Sequence, residues 1–252
     1  MSKKQDVMGD RLKMYEGMET SDKFIPMLPV YARIDGKCFS KFTKGMNRPY
    51  DEKMSWMMKE TTKYLVEKTG ALTGYTQSDE ISLVWYSDDT KSDIFFCGKK
   101  QKMVSTLAAM ATAKFVQLAL ENFPERCEKN LPTFDARVFQ LPTKIEAMNC
   151  FLWRVQDAVK NSITMAASSY YSHKELMNKN GADKMEMLFQ KGVNWNDYPK
   201  FFKEGSFFKR ENYLKDEAVR SKIVETDVFE KFNDLSTDEK VEFIFTKKLE
   251  VK

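Results

Sequence analysis

This chain of 252 residues holds a single imidazole, His173. Its four cysteines, Cys38, Cys97, Cys127 and Cys150, are dispersed with no C-x-x-C spacing. A structural zinc site therefore lacks its ligands, and reduced thiols in a cytosol-like compartment are the simpler reading. No apolar run approaches the length of a membrane span, and the segment Met1-Ser2-Lys3-Lys4-Gln5-Asp6 lacks the apolar core of a signal peptide. The expectation is a soluble, cytoplasmic protein with no membrane partner. There is no internal repeat and no low-complexity segment. What is present is a globular composition: 42% hydrophobic and 13% aromatic residues, which argues against disorder. The length suffices to bury a core as one large domain, or one domain with an extension. A net charge of +4 is too modest to indicate nucleic-acid binding unless the lysines cluster.

Two short carboxylate segments stand out, Arg33-Ile34-Asp35-Gly36 and Gln77-Ser78-Asp79-Glu80. Leu28, Val30, Ala32 and Ile34 share one face of a strand that ends at Asp35, and Ile81, Leu83 and Trp85 alternate along a strand that begins after Asp79. If these strands are neighbours, Asp35 and Asp79 converge at one sheet end. Two carboxylates placed there can hold divalent metal against nucleotide phosphates, an arrangement suited to phosphoryl or nucleotidyl transfer. Taken singly, an acid beside a turn glycine is ordinary solvated loop chemistry.

The coarse order reads strand, helix, hairpin, helix, strand, helix. A loop from Lys37 to Tyr50 precedes a helix from about Asp51, its N-cap, to Lys68. Ala71 to Tyr75 and Ile81 to Tyr86 flank the acidic turn as a hairpin. The next helix opens with Lys99, Lys100 and Lys102, and buries Val104, Leu107, Ala108, Ala111, Phe115 and Leu118. Phe134 to Phe139 is a fourth strand, and a long helix runs from about Lys144 to Tyr170. This order predicts an α+β fold, a palm-like antiparallel sheet of split βαβ type with helices packed on one face. Residues 1–204 form that domain, and 205–252 form a C-terminal extension rich in β-hairpin.

On the long helix, Ile145, Met148, Leu152, Val155, Val159, Ile163 and Ala166 form the expected core stripe. Arg154, Asp157 and Asn161 share a polar face off that stripe, which is most simply a solvated face. Trp153 beside them reads as a core or interface residue rather than a base-stacking platform.

Four ordered blocks carry a family resemblance: Arg33-Ile34-Asp35-Gly36-Lys37-Cys38-Phe39, Tyr75-Thr76-Gln77-Ser78-Asp79-Glu80-Ile81-Ser82, Phe134-Asp135-Ala136-Arg137-Val138-Phe139 and Trp153-Arg154-Val155-Gln156-Asp157-Ala158-Val159-Lys160-Asn161. Together they resemble the tRNA-histidine guanylyltransferase family. The resemblance implies a palm-like catalytic domain that adds nucleotides in the 3′-to-5′ direction at a tRNA 5′ end. It also implies two magnesium ions, ATP and GTP or other nucleoside triphosphates as substrates, and a homotetramer. Asp35 and Asp79 match the family's metal-binding acids, Gly36 a backbone ligand to metal, and Glu80 a neighbouring acid needed for activity. The turn Gly36, Lys37, Cys38, Phe39 and Ser40 matches a loop whose amides cradle a triphosphate, which oriented N–H groups can do without side-chain charge. Lys99 and Lys102 match basic positions that contact phosphate, and Ser78 and Asn161 match positions at the nucleotide site.

The departures refine the resemblance. Family histidines are replaced by Val159 in the last block and by Ser40 after the first, and His173 lies elsewhere. The pattern is closer to the guanylyltransferase-like proteins of bacteria and archaea, which resemble enzymes that repair truncated tRNA 5′ ends against a template nucleotide. Guanosine addition to histidine tRNA is the alternative. A palm-fold nucleotide cyclase and a non-catalytic RNA-binding module are further ones; the first gives the Trp153-to-Asn161 block no place, and the second lacks an RNP1-like string.

Overall fold

Alternating burial along the strands sets the architecture. In the computed structural model, which describes residues 7–216, 218–226, 232 and 234–246, the elements in chain order are α1 (Val7–Thr20), β1 (Val30–Lys37), α2 (Phe39–Phe42), α3 (Glu52–Thr69), β2 (Thr73–Gln77), β3 (Glu80–Trp85), α4 (Lys100–Asn122), α5 (Pro124–Lys129), β4 (Thr133–Gln140), α6 (Lys144–Ala167), α7 (His173–Leu176), α8 (Gly181–Gln190), α9 (Lys200–Glu204), β5 (Ser206–Lys215), β6 (Ala218–Glu225) and α10 (Thr237–Phe245). The six strands form one sheet in the order β4-β1-β3-β2-β5-β6, with every neighbour antiparallel. The first four strands reproduce the expected split βαβ arrangement, with α3 and α4 as its two crossover helices.

On one face, Val30, Ala32, Ile34, Ile81, Leu83 and Trp85 meet Met57, Met58 and Leu65 of α3 and Leu107, Ala111 and Phe115 of α4. Asp51 starts α3 as expected, its carboxylate accepting from the N–H groups of Lys53 and Met54. The helix lies so close to β2 that a Cβ on Gly74 would meet Val66 Cγ2 at 2.4 Å, which explains a glycine in a buried strand. The helices do not occupy that face alone. Tyr31, Tyr75, Val84 and Phe207 pack the opposite side of the sheet against Met148, Phe151 and Val155 of α6 and against Phe243 and Ile244 of α10. A strand whose two residue sets are both apolar needs cover on both sides, and the odd-numbered set here includes Tyr31 and Tyr75.

Several boundaries shift. The expected loop after β1 contains α2, and Lys99 precedes α4 as its N-cap. By length and composition α4 could cross a membrane, contrary to the reading that no apolar run reaches that length. Its buried stripe of Met103, Leu107, Ala111, Phe115 and Leu118 is spent on the sheet, as in a core helix. Of the expected α6 stripe, Met148, Val155, Ile163 and Ala166 are buried, and the buried face widens from it to take in Ala147, Phe151, Arg154, Ala158 and Ser162, while Ile145 is exposed.

Among the described residues beyond 204, β5 and β6 pair as a hairpin, and β5 joins the main sheet beside β2, so the hairpin continues the sheet and is not set apart from it. Phe207 and Phe208, adjacent in β5, point to opposite faces and enter the two separate cores. Buried Lys209 donates to Thr73 Oγ1 and to the carbonyls of Phe243 and Ile244, fastening the end of α10 to the sheet. Burial pushes its amine down to about 7.

Candidate active site

The two acidic segments meet. In the β1–β3 pairing Asp35 stands opposite Glu80 and Ile34 opposite Ile81, so the end of β1 lies beside the tight turn Ser78-Asp79. That turn places Ser78 at φ 50°, and the Gly36 N–H donates to the Asp79 carbonyl at 3.0 Å. One backbone hydrogen bond therefore ties Asp35-Gly36 to Asp79. Burial, followed by the charge of Asp35, pushes the Asp79 carboxyl above its usual range, while its own backbone N–H and the Ser78 hydroxyl, 3.1 Å from Oδ1, pull the other way. A buried carboxylate whose charge is disfavoured by burial and by a neighbouring acid presents a natural site for a cation.

The oxygen donors of Asp35 and Asp79 suit a hard ion such as magnesium. Among the described residues no group of three or more His, Cys, Asp or Glu side chains is arranged to hold a metal ion. Two carboxylates with the Gly36 carbonyl would leave the remaining coordination positions to substrate phosphate and water, the usual situation for magnesium at nucleotide sites.

After Gly36 the chain turns sharply. Cys38 is left-handed at φ 58° and caps the short α2. A Cβ on Gly36 would lie 2.4 Å from the Phe39 ring, so the glycine is required by close packing. Phe39 is buried against Phe42, Phe115 and Phe134; of the expected triphosphate loop, it can offer only its backbone. Lys37, Cys38 and Ser40 are exposed at the same sheet end. Arg126 holds the following turn through the carbonyls of Phe42 and Lys44, at 3.0 and 2.7 Å.

Glu80 follows Asp79 but faces α6. Arg154 Nε donates to Glu80 Oε1 at 2.6 Å, with both side chains 8% exposed, and Arg33 Nε lies 3.9 Å from Oε2. Burial pushes the Glu80 carboxyl up, opposed first by Arg154 and then by Arg33. Burial works against the Arg154 charge too, but Glu80 and Asp157 outweigh it. Arg154 also donates to Asp157 Oδ2 at 3.0 Å, and Asn161 Nδ2 donates to the same oxygen at 3.1 Å. The expected polar face of α6 is thus a relay: Asn161, Asp157, Arg154, Glu80. Arg154 sits inside the buried stripe, because Glu80 neutralises it there. Since α6 runs toward the sheet end that carries the acids, Asn161 projects beyond that end.

Lys99 and Lys102 are not brought to this place. β3 leads away from the acids and α4 returns, so its start lies at the opposite end of the sheet. Roughly 20 Å of helix separates Lys102 from Phe115, which contacts Phe39 near the acids. Lys99 pairs through its backbone with Lys23, and Lys102 Nζ lies 6.0 Å from the Phe96 ring. His173 is exposed in α7.

Other residues at the site were overlooked in the sequence. Asp135 of β4 stands opposite Asp35, and Arg137 opposite Arg33. Charged residues two apart within a strand, on the face shared with Asp35, were the available signal. Trp153 is not a core residue: it is 55% exposed, with Arg154 Cζ 4.6 Å and Arg33 Cζ 5.8 Å from its ring centre.

Comparison with known proteins agrees with this geometry. The model of the family described as Thg1, tRNAHis guanylyltransferase, matches residues 9–142. The tRNA(His) guanylyltransferase of Saccharomyces cerevisiae is 30% identical over 213 residues, which cover 78% of this chain and 88% of the yeast protein. A solved bacterial tRNA(His) guanylyltransferase-like protein in complex with ATP superimposes with a TM-score of 0.82 at 35% identity, over 95% of this chain and all of that one. The GTP complex of a bacterial protein so described gives 0.75 at 36% identity, with the same coverage.

Proposed function

The chain belongs to the tRNAHis guanylyltransferase family, and from that membership we propose that it is a 3′-5′ nucleotidyltransferase that adds nucleotides to the 5′ end of tRNA, chiefly in templated repair of truncated ends. The observation that carries this reading is the bond from the Gly36 N–H to the Asp79 carbonyl, which fixes Asp35 and Asp79 at one sheet end beside the turn of α2.

In activation, a 5′-monophosphate oxygen of the RNA attacks the α-phosphorus of ATP; a P–O–P bond forms and pyrophosphate departs. In transfer, the 3′-hydroxyl of an incoming nucleotide attacks the activated 5′-phosphorus, loses its proton and expels AMP. A triphosphorylated end skips the first step and loses pyrophosphate. Asp35, Asp79 and the Gly36 carbonyl would hold two magnesium ions. Bound there, magnesium would acidify an attacking hydroxyl and neutralise leaving-group charge. The chain's own part is to orient: the turn from Gly36 to Ser40 offers backbone N–H groups to phosphate, and the relay through Arg154 sets Asn161 beyond the acids.

Templated repair is favoured over guanosine addition to intact histidine tRNA by Val159 and Ser40, which stand where that activity's relatives carry histidines. A cyclase would leave the relay from Glu80 to Asn161 unexplained. An RNA-binding module of the bare split βαβ kind would need the sheet face that α6 covers.

Homotetramer assembly and a cytoplasmic location belong to the same proposal. Assembly is supported by α1, a helix of 14 residues with none buried, which is marginal without a partner. It would also give Lys99 and Lys102 a phosphate to meet at a neighbouring subunit's site. The test supplies 5′-truncated and full-length tRNAs with each labelled nucleotide and maps the products. Addition to the truncated tRNA of the nucleotide complementary to its unpaired base is expected; a clear preference for intact histidine tRNA would overturn the repair assignment.

A further inference from the structure

Among the described residues three buried side-chain atoms have no hydrogen-bond partner: Lys200 Nζ, Asn212 Oδ1 and Thr226 Oγ1. Two of these residues, Lys200 and Thr226, line a single cavity of about 180 Å³. Folded proteins partner nearly all their buried polar atoms, so two exceptions on the wall of one space point to something that the space receives. Thr226 is 8% exposed, and its backbone N–H already donates to the Phe207 carbonyl at 3.0 Å. Its hydroxyl is the group left over.

The other charges on the wall are accounted for. Glu225 is taken by Lys59 at 2.7 Å, and Lys59 Nζ lies 4.8 Å from the Phe201 ring centre. Glu204 accepts from the Tyr75 hydroxyl at its backbone carbonyl, and neither of its carboxylate oxygens is among the buried unpartnered atoms. The ammonium of Lys200 is therefore the charge that this interior leaves uncompensated, with a hydroxyl on the same wall. Both groups can donate, and an ammonium held out of water without a partner is strongly unfavourable. A ligand that relieves it must bring negative charge and acceptor atoms. The volume is roughly six times the share of one water in the liquid, room enough for a tetrahedral oxyanion.

The cavity lies at the sheet end that carries the acids. Ser206, on its wall, pairs with Thr76, which precedes Gln77 and the acidic turn. β5 and β3 flank β2, so two strand spacings, about 10 Å, separate the cavity laterally from that turn.

We propose that this cavity is an oxyanion site in which Lys200 and Thr226 donate to a phosphate group. Two sources present that chemistry: a backbone phosphate of the RNA near its 5′ end, and the free anion. The first source rests on the proposed function; the site itself does not.

Unfolding is followed while inorganic phosphate replaces chloride at constant ionic strength, in the wild type, Lys200→Met and Thr226→Val. Lys200→Met should raise the apparent Kd of the phosphate-dependent stabilisation on the order of ten- to one-hundredfold, the range of one hydrogen bond to a charged group. Thr226→Val, which keeps the shape of threonine, should raise it about two- to tenfold. Stabilisation common to all three proteins, from phosphate on the turn Gly36 to Ser40 or from its exclusion from the surface, cancels in the comparison. Without phosphate, Lys200→Met should melt no lower than the wild type, because it removes an unpaired charge. An earlier melt would give Lys200 a partner in the free protein and overturn the site. Identical phosphate responses in all three proteins would leave water as the occupant and overturn it too. Binding of a 5′-truncated tRNA across salt concentrations then assigns the source. A loss on the order of tenfold in Lys200→Met, with a salt slope smaller by about one, identifies a backbone phosphate. A change under about twofold identifies the free anion, and either result supports a site that the phosphate titration has shown. If the wild-type protein extends no tRNA, the proposed function fails, and the phosphate titration still decides the cavity.

Discussion

Replacing Arg154 by methionine removes the guanidinium that lies 2.6 Å from Glu80 while keeping much of the side chain's volume. Both side chains are 8% exposed, so the variant leaves a buried carboxylate whose nearest remaining cation is Arg33 at 3.9 Å. Breaking one side of a buried pair costs about 3–5 kcal/mol, mostly the penalty of the charge left behind. At roughly 2–4 °C per kcal/mol for a protein of this size, the melting temperature should fall by about ten degrees. The sign of the pH dependence follows from Glu80. Burial already raises its carboxyl above the unfolded value, and Arg154 is the first influence that lowers it. Without Arg154 the folded value rises further, so in the variant the folded state holds a proton that the unfolded state has released. Stability of Arg154→Met is then greatest at acid pH and is lost as pH climbs from the ordinary glutamate value through the raised one.

The assay is urea unfolding of the wild type, Arg154→Met, Glu80→Gln and the double variant at several pH values. The double variant should be more stable than Arg154→Met at neutral pH, because it no longer buries a charge. A loss in Arg154→Met under about 1 kcal/mol, or one that does not grow between acid and neutral pH, would refute the view of this contact as a desolvated ion pair.

Asp35→Asn and Asp79→Asn should each abolish nucleotide addition while leaving the melting temperature within a few degrees; near-normal turnover in saturating magnesium would remove the two-carboxylate site. Gly36→Ala drives a methyl into the Phe39 ring, 2.4 Å away before relaxation, and should cost about 1–3 kcal/mol of stability together with activity; a silent substitution would show that the turn is not tightly packed. Lys99→Ala and Lys102→Ala should weaken phosphate engagement, most at low salt, without altering the melting temperature, and mixing these variants with Asp35→Asn subunits should restore some activity if the lysines serve a neighbouring copy's site. Lys209 titrates at about 7 when folded, against 10.5 as its ordinary value. The unfolded state thus binds more protons between those values, and wild-type stability should rise with pH across that window, a rise that Lys209→Met should flatten in chemical unfolding.

What the sequence disclosed was local order. Asp51 could be recognised as a cap, since it acts within one turn. The strands declared themselves through period-two alternation, and the hairpin through its acidic turn. The second helical layer was harder to see. Tyr31, Tyr75 and Val84 supply an apolar set on the other face, yet Tyr31 and Val84 each sit between members of the first set, whose alternation is the more conspicuous. The C-terminal hairpin was legible as a hairpin, but its attachment to β2 depends on pairing residues far apart in the chain, Tyr75 with Phe207, which no local pattern announces.

The site divides along the same line. Asp35 and Asp79 could be paired because both stand at strand ends whose order in a hairpin fold is nearly forced. Arg154 misled for the opposite reason. An arginine at helical spacing with Asp157 and Asn161 is read as solvated unless something buried answers it, and the answer, Glu80, lies 74 residues earlier. Lys99 and Lys102 show that topology can correct a motif. A strand that starts at the acids must deliver its chain to the far end of the sheet, so the helix that follows starts there, whatever its charge. That geometry leaves the two lysines, within one chain, on the wrong side of the molecule for the phosphate they resemble ligands of. A catalytic part for them requires the homotetramer proposed above, in which a neighbouring copy would bring its site to them.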